Sequence, residues 1–238
     1  MTGDIDLWTW PTPNGRKVSI MLEECALPYR VHPVNIREGD QLTDTFRALN
    51  GNTKIPVIRD PEPPFGGAPV VLSESGAILE YLAERSGLFL PEDPRARWAA
   101  KQWLMFQMGG VGPMHGQANH FCAYTAEPHP YSRARYRDEA LRLYRVCDRH
   151  LLSAEWFAGE EYSIADIAMF PWTQQMDRID LEIRDFPALS AWAAAMAARP
   201  GVHAGMAVLQ DRVSPARMTD AERDVLFGAA QHRPPSAK

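Results

Sequence analysis

Three short polar clusters lie where a strand meets a helix or where a strand begins, and each could hold a charged or peptide-like ligand. The first is Trp8-Thr9-Trp10-Pro11-Thr12-Pro13-Asn14-Gly15. Thr12 stands at a helix N-cap position, and Pro13 suits the first helical residue. A strand running into a helix leaves unpaired backbone N–H groups and partial positive charge at the junction, which favours an anion. Thr12 and Asn14 add two short side chains able to donate hydrogen bonds to that place. Either they serve an anion, or Thr12 only caps its own helix. The second cluster is Asn52-Thr53-Lys54-Ile55-Pro56-Val57. A proline opening an apolar strand gives up a ladder donor. A cis Ile55–Pro56 bond would turn the Ile55 main chain outward as an edge for a peptide-like ligand; an ordinary trans proline fits the fragment equally. The third is Leu72-Ser73-Glu74-Ser75-Gly76. Ser75 and the N–H groups after it form an anion pocket at a helix start, and Glu74 can accept an ammonium. Held one residue apart, the two would match an α-amino acid group. A serine cap with a dipole-friendly glutamate fits as well.

The pattern around these clusters predicts the elements that position them. Ile5 to Trp8 reads as a strand, and Val18, Met21, Leu22 and Cys25 share one face of the first helix. Tyr29 to Val34 alternates as a strand, which Pro33 would confine to an edge. Leu42 to Leu49 is a short helix, Val57 to Asp60 and Val70 to Leu72 are strands, and Glu74 to Arg85 is a helix. The order β-α-β-α-β-β-α is mixed α/β with a hairpin after a βαβ unit. We place this first domain at residues 1–86 and a linker at 87–94. An all-helical domain follows over 95–208, and residues 209–238 form an arm or a partly disordered tail. In the helical part, Gly109-Gly110-Val111-Gly112-Pro113 is expected to interrupt or kink a helix. Ser163 and Asp166 read as a capping-box variant, and Arg199-Pro200-Gly201 as a helix stop.

Composition narrows the function. The 238 residues are 45% hydrophobic with a formal charge of −5. A sizeable core is available, and no concentrated basic face argues for nucleic acid. No apolar run reaches the ~18 residues of a membrane span. The polar start, Met1-Thr2-Gly3-Asp4, is unlike a secretory signal. The three cysteines, Cys25, Cys122 and Cys147, have no CxxC spacing and read as buried thiols in a reducing compartment. A cytoplasmic protein without nucleic-acid or membrane partners is expected.

Taken in order, the three clusters resemble those of glutathione transferases. Thr-Pro-Asn-Gly-x-Lys-Val-Ser, Lys-Ile-Pro, Glu-Ser-Gly-Ala-Ile-Leu-x-Tyr-Leu-Ala-Glu and Gln-Met-Gly-Gly-x-Gly-Pro-Met-x-Gly-Gln resemble the bacterial Nu class and the related fungal nitrogen-regulatory prion protein. The resemblance covers residues 5 to about 205. It implies a thioredoxin-like N-terminal domain, an all-helical C-terminal domain, a homodimer, and glutathione as cosubstrate without a metal. By this resemblance Glu74 and Ser75 hold the γ-glutamyl group. Ile55, with Pro56 cis, pairs with the cysteinyl backbone. Lys54, helped by Gln41, meets the glycyl carboxylate. Thr12 and Asn14 donate to the glutathione sulfur, and Arg135 matches an arginine that reaches the site. Gln117 and His120 fall near its outer wall, or are solvated or capping side chains. Gly51 stands where a proline or serine is common, which affects the glycyl contact.

The implied chemistry has a physical basis. A free thiol has a pKa of ~8.5, and donors plus a helix N-terminus stabilise the thiolate. The opening segment offers neither a cysteine nor a tyrosine, so any thiol–disulfide exchange must use glutathione itself as nucleophile. The resemblance implies reduction of small disulfides with two glutathiones or one glutathione disulfide in a wide site, with weaker transferase or peroxidase activity. Two other readings stay open here: a glutathione-binding regulatory protein, and a transferase acting on another electrophile as an isomerase or ether-cleaving enzyme.

Overall fold

The computed structural model describes residues 3–213 and 218–232. Strand β1 (Ile5–Thr9) runs through a proline-rich turn into helix α1 (Pro13–Glu24). Next come β2 (Tyr29–Pro33), α2 (Asp44–Leu49), β3 (Val57–Asp60), β4 (Val70–Ser73) and α3 (Ser75–Ser86). The sheet order is β2-β1-β3-β4, with β1 and β2 parallel and the remaining pairs antiparallel. Leu7 lies between Val31 and Ile58 on the neighbouring strands. β2 takes the edge, as its terminal proline requires. One sheet face packs on α1 and α3 through Ile5, Leu7, Ile58, Ile78 and Leu82. The other carries a smaller cluster of Val34, Phe46 and Val57 under α2.

The remainder of the described chain is helical: α4 (Pro94–Phe106), α5 (Gly112–Asn119), α6 (Pro130–Leu151), α7 (Ile164–Thr173), α8 (Pro187–Ala197), α9 (Pro200–Ala207) and α10 (Asp220–Phe227). The glycine-rich stretch interrupts the α-helix as expected. A π-helical turn at Gln107–Val111 joins α4 to α5, a widening that absorbs the missing Pro113 N–H without ending the helical run. Helix α8 stops at Ala197, before Arg199, also as expected, and Pro200 then opens α9, because proline fits a first helical turn. Among the described residues no helix is long and apolar enough to cross a membrane. Of the expected tail, residues 214–217 and 233–238 lie outside the described residues.

Helix α1 is not the amphipathic surface helix that its pattern predicts. Residues from Gly15 to Leu22 are all buried, because α9 covers the side left open by the sheet, α3 and α7. Gly205 of α9 makes this possible, since a Cβ there would lie 2.4 Å from Ile20 Cα.

Asp166 fastens the helical half. Its carboxylate accepts from Ser163 N at 2.9 Å, Phe157 N at 3.0 Å and the Trp192 indole at 2.9 Å, inside a capping box. Asp166→Ala would leave three buried donors unpaired. We expect it to cost about 3 kcal/mol or more in urea unfolding, since each orphaned group costs about 1–3 kcal/mol.

Candidate functional site

A cavity of about 1270 Å³ opens between the sheet domain and the helical half. Its floor is the β1–α1 junction. Thr12 caps α1 by accepting from Gly15 N at 3.2 Å. The capping expectation and the donor expectation are therefore compatible: the lone pair serves the cap, and the hydroxyl hydrogen meets no protein acceptor among the described residues. The Asn14 side chain, which also lines the cavity, makes no hydrogen bond among them. Gly15 is required for this turn. A Cβ there would come within 2.2 Å of the Trp10 carbonyl oxygen and 2.5 Å of Thr9 Oγ1.

The other clusters converge on the same cavity. The Ile55–Pro56 bond is cis, and Ile55 lines the wall with Lys54. The Lys54 ammonium donates to Gln231 Oε1 at 3.4 Å. Gln41 also lines the cavity. Its amide donates to the Ile36 carbonyl at 3.1 Å, while its buried Oε1 has no partner. Glu74 holds φ at +69°, a left-handed backbone rare for a residue with a side chain and of the sort concentrated at functional sites. Ser75 opens α3 but makes no side-chain cap. Its buried hydroxyl instead accepts from Lys17 Nζ at 3.3 Å.

On the helical side, Gln117 and His120 line the cavity. The His120 ring packs edge-on against Phe227 of α10, with centroids 4.5 Å apart, and burial lowers its pKa. Arg135 is not brought to the cavity in this chain. It stands on the outer face of α6, 57% exposed and paired with Glu139 at 3.6 Å, because the opposite face, through Ala140, Leu143, Tyr144 and Cys147, packs into the core.

None of the cysteines lines this cavity. Cys25 is at the far end of α1, donating to Ser86 Oγ at 3.3 Å. Cys147 is buried, which pushes its thiol up to about 12. Cys122 belongs to a separate cleft of about 670 Å³ beside Arg133, and burial raises its pKa too. The arrangement offers hydrogen-bond donors and a helix N-terminus to an anion, with no cysteine among the lining residues. Among the described residues no cluster of His, Cys, Asp and Glu could hold a metal ion.

Sequence reasoning missed Lys17. It lies in the middle of a helix that is enclosed on all sides and is 1% exposed. Its ammonium donates to Gln107 Oε1 at 2.5 Å and approaches Met108 Sδ at 3.2 Å. Trp172 of α7 and Gln107 line the cavity beside it. The signal was a lysine on a helix assumed to face solvent, where it would need no explanation. Only the placement of α9 and the π-helical turn makes it anomalous.

The thioredoxin-like sheet, the helical half and the polar-floored cleft between them define a glutathione-transferase type of protein. Residues 12–85 match the family model of the glutathione S-transferase N-terminal domain, and residues 112–200 match that of the C-terminal domain. The disulfide-bond oxidoreductase YfcG of Escherichia coli (strain K12) is 43% identical over 213 residues, spanning 90% of this chain and 98% of that protein. A glutathione transferase from Burkholderia graminis, solved with two glutathione molecules bound per subunit, superposes with a TM-score of 0.81 at 46% identity, covering 85% of this chain and 87% of that one. One from Pseudomonas putida, solved with one glutathione disulfide per subunit, gives 0.81 at 46%, covering 86% and 91%. The chain belongs to the glutathione S-transferase family.

Burial holds the Lys17 pKa down to about 7, with Glu74 partly opposing that shift. In the unfolded chain it returns to its usual value near 10.4, so between these values the unfolded state binds more protons and stability rises with pH. We expect unliganded protein to gain about 2 kcal/mol from this group between pH 7 and pH 9. Urea unfolding of Lys17→Met alongside the parent checks this: the slope should be missing in the variant.

Proposed function

We propose that the protein reduces small disulfides with glutathione, using the bound tripeptide and no protein cysteine as the nucleophile. The observation that carries this reading is the pairing of the Thr12 hydroxyl and the Asn14 amide, both open to the cavity, with the absence of any cysteine from its walls. Glu74 would take the γ-glutamyl ammonium, and Ser75 with the α3 N–H groups its carboxylate. Ile55 would pair with the cysteinyl main chain, and Lys54 with Gln41 would meet the glycyl end. Arg135 has no part in this arrangement within a single chain.

The chemistry takes two exchanges. The thiolate of one glutathione attacks a disulfide sulfur, forming a mixed disulfide and releasing one thiolate, which takes a proton from water. A second glutathione thiolate attacks the glutathione sulfur of the mixed disulfide. This gives glutathione disulfide and the second thiol. Thr12, Asn14 and the α1 N-terminus act by favouring the thiolate at neutral pH. The volume of the cavity supports room for two tripeptides, and the relatives solved with two glutathiones or one glutathione disulfide support the same stoichiometry. Weaker conjugating or peroxidase activity would use the same thiolate. A homodimer belongs to this reading: Trp98 and Met105, 71% and 54% exposed and two helical turns apart, give α4 an apolar outer stripe.

Turnover of bis(2-hydroxyethyl) disulfide with glutathione tests the proposal. Thr12→Ala with Asn14→Ala is expected to lower kcat/KM by about 100-fold or more, the scale for losing preorganised donors to a reacting anion. A variant with Cys25, Cys122 and Cys147 all replaced should keep its rate. Unchanged turnover in the first variant, or lost turnover in a well-folded second, would refute the mechanism.

A further inference from the structure

The least expected charge in the molecule is the Lys17 ammonium, which lines the cavity and lies within hydrogen-bond reach of Ser75. No carboxylate bonds to it. Its partners are the neutral oxygens Gln107 Oε1 at 2.5 Å and Ser75 Oγ at 3.3 Å, the Met108 sulfur at 3.2 Å, and the Trp172 ring, whose centroid is 6.0 Å away. Accepting from Lys17 fixes the Gln107 amide with its Nε2 turned away, and that buried nitrogen has no partner. The surroundings therefore hold more hydrogen than acceptor, and an anion would balance them.

The charged groups around Lys17 are few. Glu74, where α3 begins, is the carboxylate whose charge acts on it. Its neighbour Arg16 turns instead to the Met206 carbonyl and Gln210 near the end of α9. On α3 Glu80 is engaged by Lys101 at 3.1 Å, and on α9 His203 is exposed. On α5 His115 stands behind Trp172 and is held by Tyr144 at 2.6 Å, while Asp166 of α7 is bound by Ser163 and Trp192.

We propose that Lys17 is a positioning residue for an amino-acid carboxylate: acting through the Ser75 hydroxyl, its ammonium balances the carboxylate that seats at the start of α3, so that ligand binding and protonation of Lys17 are linked. The Ser75 oxygen accepts from Lys17, and its own hydrogen is donated only to the Met108 sulfur at 3.7 Å, a weak acceptor that a ligand carboxylate would displace. A carboxylate hydrogen-bonded to Ser75 would lie about 6 Å from Nζ, within the range where opposite charge favours the protonated amine. The direction already seen in the unliganded protein agrees. Burial holds this pKa down to about 7, so an incoming negative charge raises it and draws a proton from solvent.

The inference rests on the glutathione reading, and its test separates the two. S-methylglutathione, whose sulfur cannot ionise, is titrated calorimetrically into the full-length protein in buffers of different ionisation enthalpy. At pH 8 the free amine is about a tenth protonated, so close to one proton should be taken up per ligand; at pH 6 the uptake should fall to about a tenth. Above pH 7 the dissociation constant should weaken by up to about tenfold per pH unit, until the pKa of the bound state is reached. Lys17→Met should bind roughly tenfold or more weakly and lack this uptake. Ionisation of the ligand's own ammonium contributes equally to both proteins and drops out of the difference. Lys17→Arg, permanently charged, should keep binding while losing the uptake seen in the parent, a contrast that a purely structural role for the side chain would not produce. If the parent protein binds with no buffer-dependent enthalpy at pH 8, while Glu74→Gln still weakens binding, the role of Lys17 is overturned and the glutathione site stands. If S-methylglutathione does not bind at millimolar concentration, both readings fall. The parent measurement needs no variant, so a misfolded substitution cannot decide the outcome.

Discussion

The enclosure of α1 governs the rest of the structure. With the sheet, α3, α7 and α9 packed around it, its middle two turns have no access to water. Every polar group on those turns must find a partner inside or face the cleft. Arg16 reaches the backbone of α9, Ser19 donates to the Gly205 carbonyl at 2.7 Å, and Lys17 reaches Gln107. The junction that begins the helix is thereby held rigid against both halves of the molecule. The amides at its N-terminus, Thr12 and Asn14 are preorganised, so a bound anion meets donors that do not have to be gathered first.

Much of this was legible in the residues. The strand and helix order, the edge position of β2 and the Asp166 capping box follow from local chemistry that has few alternatives, while the cis Ile55–Pro56 bond was an even choice locally and came from the family resemblance. Proline spacing, turn residues and the Ser163/Asp166 spacing act over a handful of residues, and tertiary packing did not override them. The three ligand clusters converge because each ends or begins a strand on the same side of one sheet. Features that depend on which helix covers which face were not legible. Nothing in Lys17 or its neighbours indicates that α9 will close over α1, and nothing in Arg135 indicates which way α6 rolls. The form of the interruption at the glycine-rich stretch, a π-helical turn, was not legible for a related reason. Glycine and proline signal a break in an isolated helix, but between packed neighbours a widened turn costs less than an end.

The division of labour in the cleft is chemical. The sheet domain supplies main-chain groups and short polar side chains, which in the proposed reading would meet the peptide features that every γ-glutamyl tripeptide shares. The helical half supplies Gln117, His120, Tyr124 and Trp172, which surround the space beyond. An incoming disulfide or electrophile would be discriminated there, on side chains whose identity the first domain does not constrain. In the proposed mechanism the nucleophilic sulfur belongs to a diffusible ligand, which agrees with the protein's own thiols all being shifted upward by burial.

The helix α10 lies across the mouth of this space and touches both halves at once. Glu222 pairs with Arg37 of the sheet domain at 3.5 Å, and Phe227 packs on His120 and Tyr124 of the helical half. Beyond it Gln231 meets Lys54 at 3.4 Å. The ion pair and the Gln231 contact are partly exposed and each worth little, about 0–1 kcal/mol, so the Phe227 ring carries more of the attachment. The segment thus straps the two halves together beside the cavity, in addition to the packing around α1.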